Sequence, residues 1–305
     1  MFFFTAIIQP FILIALGFGL SKMKMFPRPL WEGVEKLVYY VLFPPLLFNS
    51  VAKAELTVSQ TGLYLACGVG SMASGILLAW IVSKLAPADP LTDASIRQCG
   101  YRFNSYIGFA ISLALYGTTG MALFALLVGV WVPISNAVAV ADLAAASSSR
   151  GSGAAGIAKS IFKNPLILST LAGLFFNATG LSMPDLVTSV FRSLGSASLA
   201  LALMAIGAGL KLGDFRKQMK LLSLATAERL LAVPAVSLAA GLWLGLSPVE
   251  LGALLSFTAL PTANSCYILA VRMGGNGPAV ANLTTLQTLC SLATIPFWMG
   301  LLHAV

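Results

Sequence analysis

Charge is what this sequence has least of. Of its 305 residues 9% are charged and 58% hydrophobic, whereas a soluble domain carries roughly 25% charged residues because its surface must be wetted. The deficit excludes a soluble fold. Histidine is nearly missing: the single residue, His303, stands at the C-terminal end, so a His-based metal centre lacks its ligands. The four cysteines, Cys67, Cys99, Cys266 and Cys290, have no C-x-x-C spacing and read as small apolar packing residues. The ten acids are scattered and no nucleophile–base arrangement appears, so neither an enzyme, a bound metal nor another cofactor is expected. Residues 61–82 hold no ionisable carboxylate or base at all, which excludes proton coupling through a buried acid there. A net charge of +8 would suggest nucleic acid in a soluble protein. Here the Lys and Arg residues fall between apolar runs and record membrane orientation, not a nucleic-acid partner.

What the sequence has in abundance is apolar runs near the roughly 20 residues that a helix needs to cross a bilayer. Ten are expected, at 2–20, 34–52, 61–83, 92–116, 121–143, 165–179, 191–210, 221–245, 249–271 and 277–302. The sixth is short and the fourth interrupted. Their continuous apolarity excludes barrel strands, which alternate over about 10 residues. Lys22, Lys24 and Arg28 follow the first run, reversing the charge order of a signal peptide. With the N-terminus outside, sixteen of the eighteen basic residues collect on the cytoplasmic connections, and only Lys53 and Arg192 stay outside. The positive-inside rule thus predicts a multi-pass plasma (inner) membrane protein with both termini on the non-cytoplasmic side.

The chain also repeats itself. Gln9-Pro10-Phe11-Ile12-Leu13 returns as Asn164-Pro165-Leu166-Ile167-Leu168, and Pro27 is echoed by Pro184, at offsets of 155 and 157. Asn104-Ser105-Tyr106-Ile107 in span four returns at an offset of 160 as Asn264-Ser265-Cys266-Tyr267 in span nine. Two five-helix halves follow, 1–143 and 164–305, joined by a small-residue cytoplasmic linker over 144–163. Five is odd, so the halves lie inverted, the build of many secondary transporters, with substrate held where paired helices are broken.

Pro261 removes a backbone donor in span nine, and Thr262, Asn264 and Ser265 can bond the freed groups or a ligand. In span four Asn104 and Ser105 supply the matching amide and hydroxyl, and Gly108 permits close backbone approach. A half-helix starting at a break turns its positive dipole end inward, which suits an anion, and Asn can donate to a carboxylate without a permanent buried charge. A small organic anion is the expected substrate.

The segments Arg102-Phe103-Asn104-Ser105-Tyr106-Ile107-Gly108 with Leu115-Tyr116-Gly117, and Leu260-Pro261-Thr262-Ala263-Asn264-Ser265 with Leu269-Ala270, resemble the auxin efflux carrier family. That family includes bacterial malonate and malate permease-like proteins and the plant PIN-FORMED carriers. The resemblance spans nearly the whole chain, although only the two break motifs are specific. It implies a fold similar to bile acid sodium symporters: an all-α polytopic protein with a scaffold from spans 1, 2, 6 and 7, a transport domain from spans 3–5 and 8–10, crossing helices 4 and 9, and an elevator-like shift between the two parts. One departure stands out: the family often has a Pro in the span-four break, and 108–111 contains none.

Asn49, after Pro44-Pro45, falls where the resemblance puts the scaffold wall facing substrate, with helix capping as the plain alternative. Asn136, after Pro133, either faces the crossing or bonds between helices. Arg102 either attracts an anion or snorkels to the interface. Glu228, Arg229 and Glu250 read as interfacial, Asp142 as a helix-end charge, and most Met and aromatic residues as interface markers or packing. The expected partners are a small carboxylate such as malonate, malate or an auxin-like acid, a coupling proton or sodium ion, the lipid bilayer, and a second copy forming a homodimer through scaffold helices. Two rival readings share the fold: a sodium-coupled bile-acid-type symporter and a transporter-like sensor.

Overall fold

The computed structural model describes residues 2–53, 58–147, 165–181, 183–210 and 218–304. Most of the expected linker, with Arg150, Lys159 and Lys163, lies outside the described residues, as do Asn164, Lys211, Arg216 and Lys217. The fold is all-helical, 87% helix, with no strand among the described residues. Among the described residues, five helical stretches, Thr61–Leu85, Pro90–Ala146, Asp185–Gly209, Met219–Trp243 and Gly277–Leu302, are long and apolar enough to cross a membrane.

In chain order, α1 is Phe2–Ser21, and α2 joins Arg28–Leu37 to Phe43–Ala52 through a wider turn, Val38–Leu42. There follow α3 (Val58–Leu85), α4 (Pro90–Tyr101), α5 (Ser105–Ala146), α6 (Pro165–Thr179) and α7 (Asp185–Gly209). Next, α8 joins Met219–Ala227 to Val233–Trp243 through a second wide turn, Glu228–Ala232, before α9 (Pro248–Thr258), α10 (Ser265–Arg272) and α11 (Gly277–Ala304). Both wide turns are π-helical and precede a proline, Pro44 and Pro234. A proline ring clashes with the carbonyl four residues back and cannot bond to it, so the helix widens there. The Leu230 carbonyl that Pro234 leaves unbonded accepts instead from the Trp298 indole N–H at 2.8 Å.

Helix α5 is two helices in one. A straight helix would hold residues 109 and 124 about 22 Å apart, yet the Phe109 and Phe124 rings lie 4.7 Å apart. The chain doubles back at Gly117, whose φ of 61° and ψ of −155° are open to glycine alone. The apolar run expected to start at 34 begins earlier, at Arg28. Arg28, Glu32, Glu35 and Lys36 hide it from a hydropathy reading, but they share a helix, and Arg28 and Glu32 pair at 3.4 Å. The expected start at 191 likewise moves to Asp185, behind Pro184.

Packing divides the helices into two groups. α1 crosses α7 with backbone against backbone: a Cβ on Gly207 would strike the Ile14 carbonyl, and one on Gly17 the Met204 carbonyl. α2 packs on α6, where Gly173 meets the Phe48 carbonyl, and on α7, where Gly195 meets Leu46. The other group joins α3, α4, α5, α8, α9 and α11. Its core is a chain of edge-on rings, Phe103 on Phe257 at 4.5 Å and Phe257 on Phe124 at 5.6 Å, which reaches Phe43 of α2 through Phe109. Leu77, Leu186 and Trp243 stand exposed on the outside, the kind of apolar surface a bilayer covers.

The α1–α7 crossing gives a stability prediction. Gly207→Val should lower the melting temperature of the purified protein, since over-packing costs about 1–3 kcal/mol or more where backbone blocks relief. An unchanged melting curve would mean that the two backbones do not meet there.

Candidate functional site

Three residues, Arg102 to Asn104, separate α4 from α5, and six, Ala259 to Asn264, separate α9 from α10. Both gaps are buried or nearly so, and they touch: the Asn104 N–H donates to the Pro261 carbonyl at 2.8 Å. Several backbone groups at the gaps have side-chain partners. Trp131 donates its indole N–H to the Tyr101 carbonyl, the last of α4, at 2.8 Å. The Thr262 N–H goes to the Gln287 side-chain oxygen at 2.9 Å. Gln98 donates to the Cys266 carbonyl at 3.2 Å. Trp131 and Trp298 are therefore buried donors to broken helices rather than interface markers.

A cavity of about 770 Å³ opens beside the two gaps. Arg102, Asn104, Ser105, Asn136, Asn264 and Ser265 all line it. The wall opposite comes from the polar face of α2, with Glu32, Glu35, Lys36, Tyr39 and Tyr40, and from the C-terminal end of α7. Arg28, Lys36, Arg102 and Arg272 bring four cations against the two carboxylates of Glu32 and Glu35. α5 and α10 both begin at this cavity, so two helix N-termini add positive potential.

Arg102 sits at the centre of this arrangement. Only 9% exposed, it donates to the Gln98 side-chain oxygen at 2.6 Å and to Ser265 Oγ at 3.1 Å, both neutral acceptors. Among the described residues no carboxylate lies within ion-pair distance of it. Arg97 differs, holding Asp142 through two bonds of 2.6 and 2.8 Å, whereas Arg229, fully buried inside α8 and away from the cavity, reaches Met72 Sδ at 3.5 Å and likewise has no carboxylate within ion-pair distance among the described residues. Snorkelling is thus not what Arg102 does. Asp142, read as a helix-end charge, is instead the buried partner of Arg97 across α4 and α5.

Asn104 spends its side-chain oxygen on capping α5, accepting the Ile107 N–H at 3.4 Å, which leaves its NH2 for a ligand. Asn264 caps nothing with its side chain and packs on Gly209, where an added Cβ would come within 3.1 Å of its Nδ2. Gly108 lies against Phe124 and Leu260, with no room for a Cβ. Gly108 and three further sequence candidates lie away from the cavity lining. Thr262 is fully buried, its hydroxyl 3.2 Å from Cys266 Sγ. Pro261 is buried within the α9–α10 gap, and Asn49 lies toward the far end of α2, its side-chain oxygen buried without a partner. Glu228 and Arg229, read as interfacial, are buried inside α8, and Glu250 belongs to a capping box with Ser247. Sequence reasoning missed Gln98, buried against Arg102, and, of the cavity wall, Gly209 and the tyrosines Tyr39, Tyr40, Tyr106 and Tyr267. An amide one helical turn before Arg102 was the available signal for Gln98.

Outside the spans, Asp89 caps α4 by accepting the Thr92 N–H at 3.0 Å. Bonds from the Thr92 hydroxyl and N–H hold its carboxyl below the usual carboxylate range.

A family model described as membrane transport protein matches residues 2–140 and 155–299. The chain belongs to that membrane transport protein family. It is the auxin efflux carrier-like family that the two break motifs resemble. Members of this family are membrane transporters, not enzymes. Two relatives align along almost their full length. A Rhizobium meliloti (strain 1021) protein named "Putative malonate transporter" is 23% identical over 308 residues, 99% of this chain and 95% of that one. A Methanothermobacter thermautotrophicus protein named "Uncharacterized transporter" is 21% identical over 297 residues, 96% of each chain.

The gap between α4 and α5 gives the second prediction. Trp131→Phe keeps the ring but removes the donor to the Tyr101 carbonyl. It should destabilise the detergent-solubilised protein by about 1–3 kcal/mol, the cost of an unsatisfied buried group, read as a fall in melting temperature. A melting temperature equal to the wild type's would show that the carbonyl has another partner.

Proposed function

We propose that this membrane transporter carries a small organic anion, a carboxylate such as malonate, malate or an auxin-like acid, across the inner membrane by elevator-type alternating access. The observation that carries the reading is the buried guanidinium of Arg102, held by neutral groups only, at a cavity that two helix N-termini face. A buried cation without a counter-ion is costly, and a substrate carboxylate supplies the counter-ion. Asn104, Ser105, Asn264 and Ser265 add amide and hydroxyl donors that match carboxylate oxygens, and Asn136 and the tyrosines complete the wall. A volume of about 770 Å³ lies within the usual range for small-molecule sites, about 300–1,000 Å³, and admits an aromatic acid as readily as a short dicarboxylate. The name of the Rhizobium relative favours the latter.

Ten spans in two inverted halves, with the α4–α5 and α9–α10 breaks as the paired crossing, fit this function. In support, the breaks carry the repeated Asn-Ser doublet and bond one another. The tightly packed α1, α2, α6 and α7 act as the scaffold and the remaining helices as the moving part. The cavity lies between the two groups, where a sliding surface would be. Arg28, Lys36 and Arg272, which line it, belong to connections that the positive-inside rule assigns to the cytoplasm. This conformation then faces inward, with both termini outside.

Uptake of labelled malonate, malate and an aromatic acetate into proteoliposomes, with proton and sodium gradients imposed separately, tests the reading. Saturable flux of at least one acid is expected, and the effective gradient names the coupling ion. Asn264→Ala should cut that flux about tenfold or more, as expected for a lost bond to a charged group. Flux no faster than in empty liposomes, from protein shown to be folded and inserted, would contradict the proposal.

A further inference from the structure

Gln98 is fully buried on α4, one helical turn before Arg102. Both ends of its amide are in use. Its oxygen accepts from Arg102 Nη1 at 2.6 Å, and its NH2 donates to the Cys266 carbonyl at 3.2 Å, in the first turn of α10. Arg102 Nη2 in turn reaches Ser265 Oγ at 3.1 Å, next to Cys266. The three side chains close a ring of bonds that ties the end of α4 to the start of α10. A guanidinium has five N–H donors in a planar fork. Two are fixed by this ring, and the others remain for the cavity.

A glutamate has the same shape and would bind Arg102 more strongly. Helix α4 already makes such a pair with α5, through Arg97 and Asp142. At position 98, however, a carboxylate would cancel the charge of Arg102 and set its second oxygen against the Cys266 carbonyl. A neutral amide holds the guanidinium in place and leaves its charge uncompensated.

We propose that Gln98 is a positioning residue for anion recognition, fixing Arg102 between the two breaks while leaving its positive charge free for the substrate. The proposal rests on the reading of the cavity as an anion site, and its test separates the two. Ser265→Cys places a thiol beside Arg102, in a protein whose Cys290 is replaced by Ser; background labelling is read from the parent lacking Ser265→Cys. The ratio of labelling rates with an anionic sulfonatoethyl and a cationic trimethylammonioethyl methanethiosulfonate reports the local potential without any transport.

Gln98→Glu should lower the anionic-over-cationic ratio about tenfold or more, equivalent to about 1.4 kcal/mol of local potential. Gln98→Met, which removes both bonds and adds no charge, should leave that ratio within about twofold while raising the malonate KM about tenfold in proteoliposomes, the worth of a charged hydrogen bond. An unchanged ratio in Gln98→Glu, an equal fall in both variants, or an unchanged KM in Gln98→Met would each overturn the proposal. A shifted ratio in a protein that moves no carboxylate would leave the role of Gln98 standing and sink the transport reading.

Discussion

A helix broken inside an apolar protein frees backbone N–H and carbonyl groups that no bulk water reaches, and each must find a partner or cost about 1–3 kcal/mol. That constraint shapes the whole middle of this molecule. Trp131 serves the end of α4, Gln287 and Gln98 serve the segment around Thr262 and Cys266, and the Asn104 N–H and Pro261 carbonyl serve each other. The same solution recurs at α8, where Trp298 takes the carbonyl that Pro234 strands. Rings from Phe103, Phe124 and Phe257 fill the space around the breaks, so the polar bonds form in a fixed frame.

With these backbone groups satisfied, the polarity that remains at the cavity is available for a ligand, and its sign is positive. Two helix N-termini and the guanidinium of Arg102 converge, and among the described residues Arg102 is the buried arginine that lines the cavity, with no carboxylate within ion-pair distance. A permanent carboxylate there would make a stable but inert ion pair. The structure instead spends neutral acceptors, Gln98 and Ser265, on holding the cation. This is the electrostatics that the proposed anion transport requires, since a carrier must bind its substrate well enough to enter and weakly enough to leave.

The sequence carried the breaks plainly, because their causes are local: Pro261, the Asn-Ser doublets and Gly108 are all read within a few residues. Five long apolar helical stretches among the described residues were equally legible, and the family match agrees with the break motifs. What stayed hidden depends on partners distant in the chain. The charges at the start of α2 masked a helix whose polar face lines the cavity. Asp142 pairs with a residue 45 positions away, Trp131 serves a carbonyl 30 positions away, and no local pattern announces either. Thr262 shows the opposite case: a hydroxyl in the break motif looked available, but its backbone is held by Gln287 and it turns toward Cys266, away from the cavity.

The central claim is that Arg102 is the counter-charge of a carboxylate substrate, and binding tests it most directly. The melting temperature of the detergent-solubilised protein, titrated with malonate, malate and an aromatic acetate, should rise with at least one of them, because a ligand held by the folded state stabilises it by about 2.7 kcal/mol at a hundred times its Kd. In Arg102→Gln the rise should vanish at the same concentrations while chloride of equal ionic strength affects both proteins alike. An equal, saturating rise in wild type and Arg102→Gln would contradict the account.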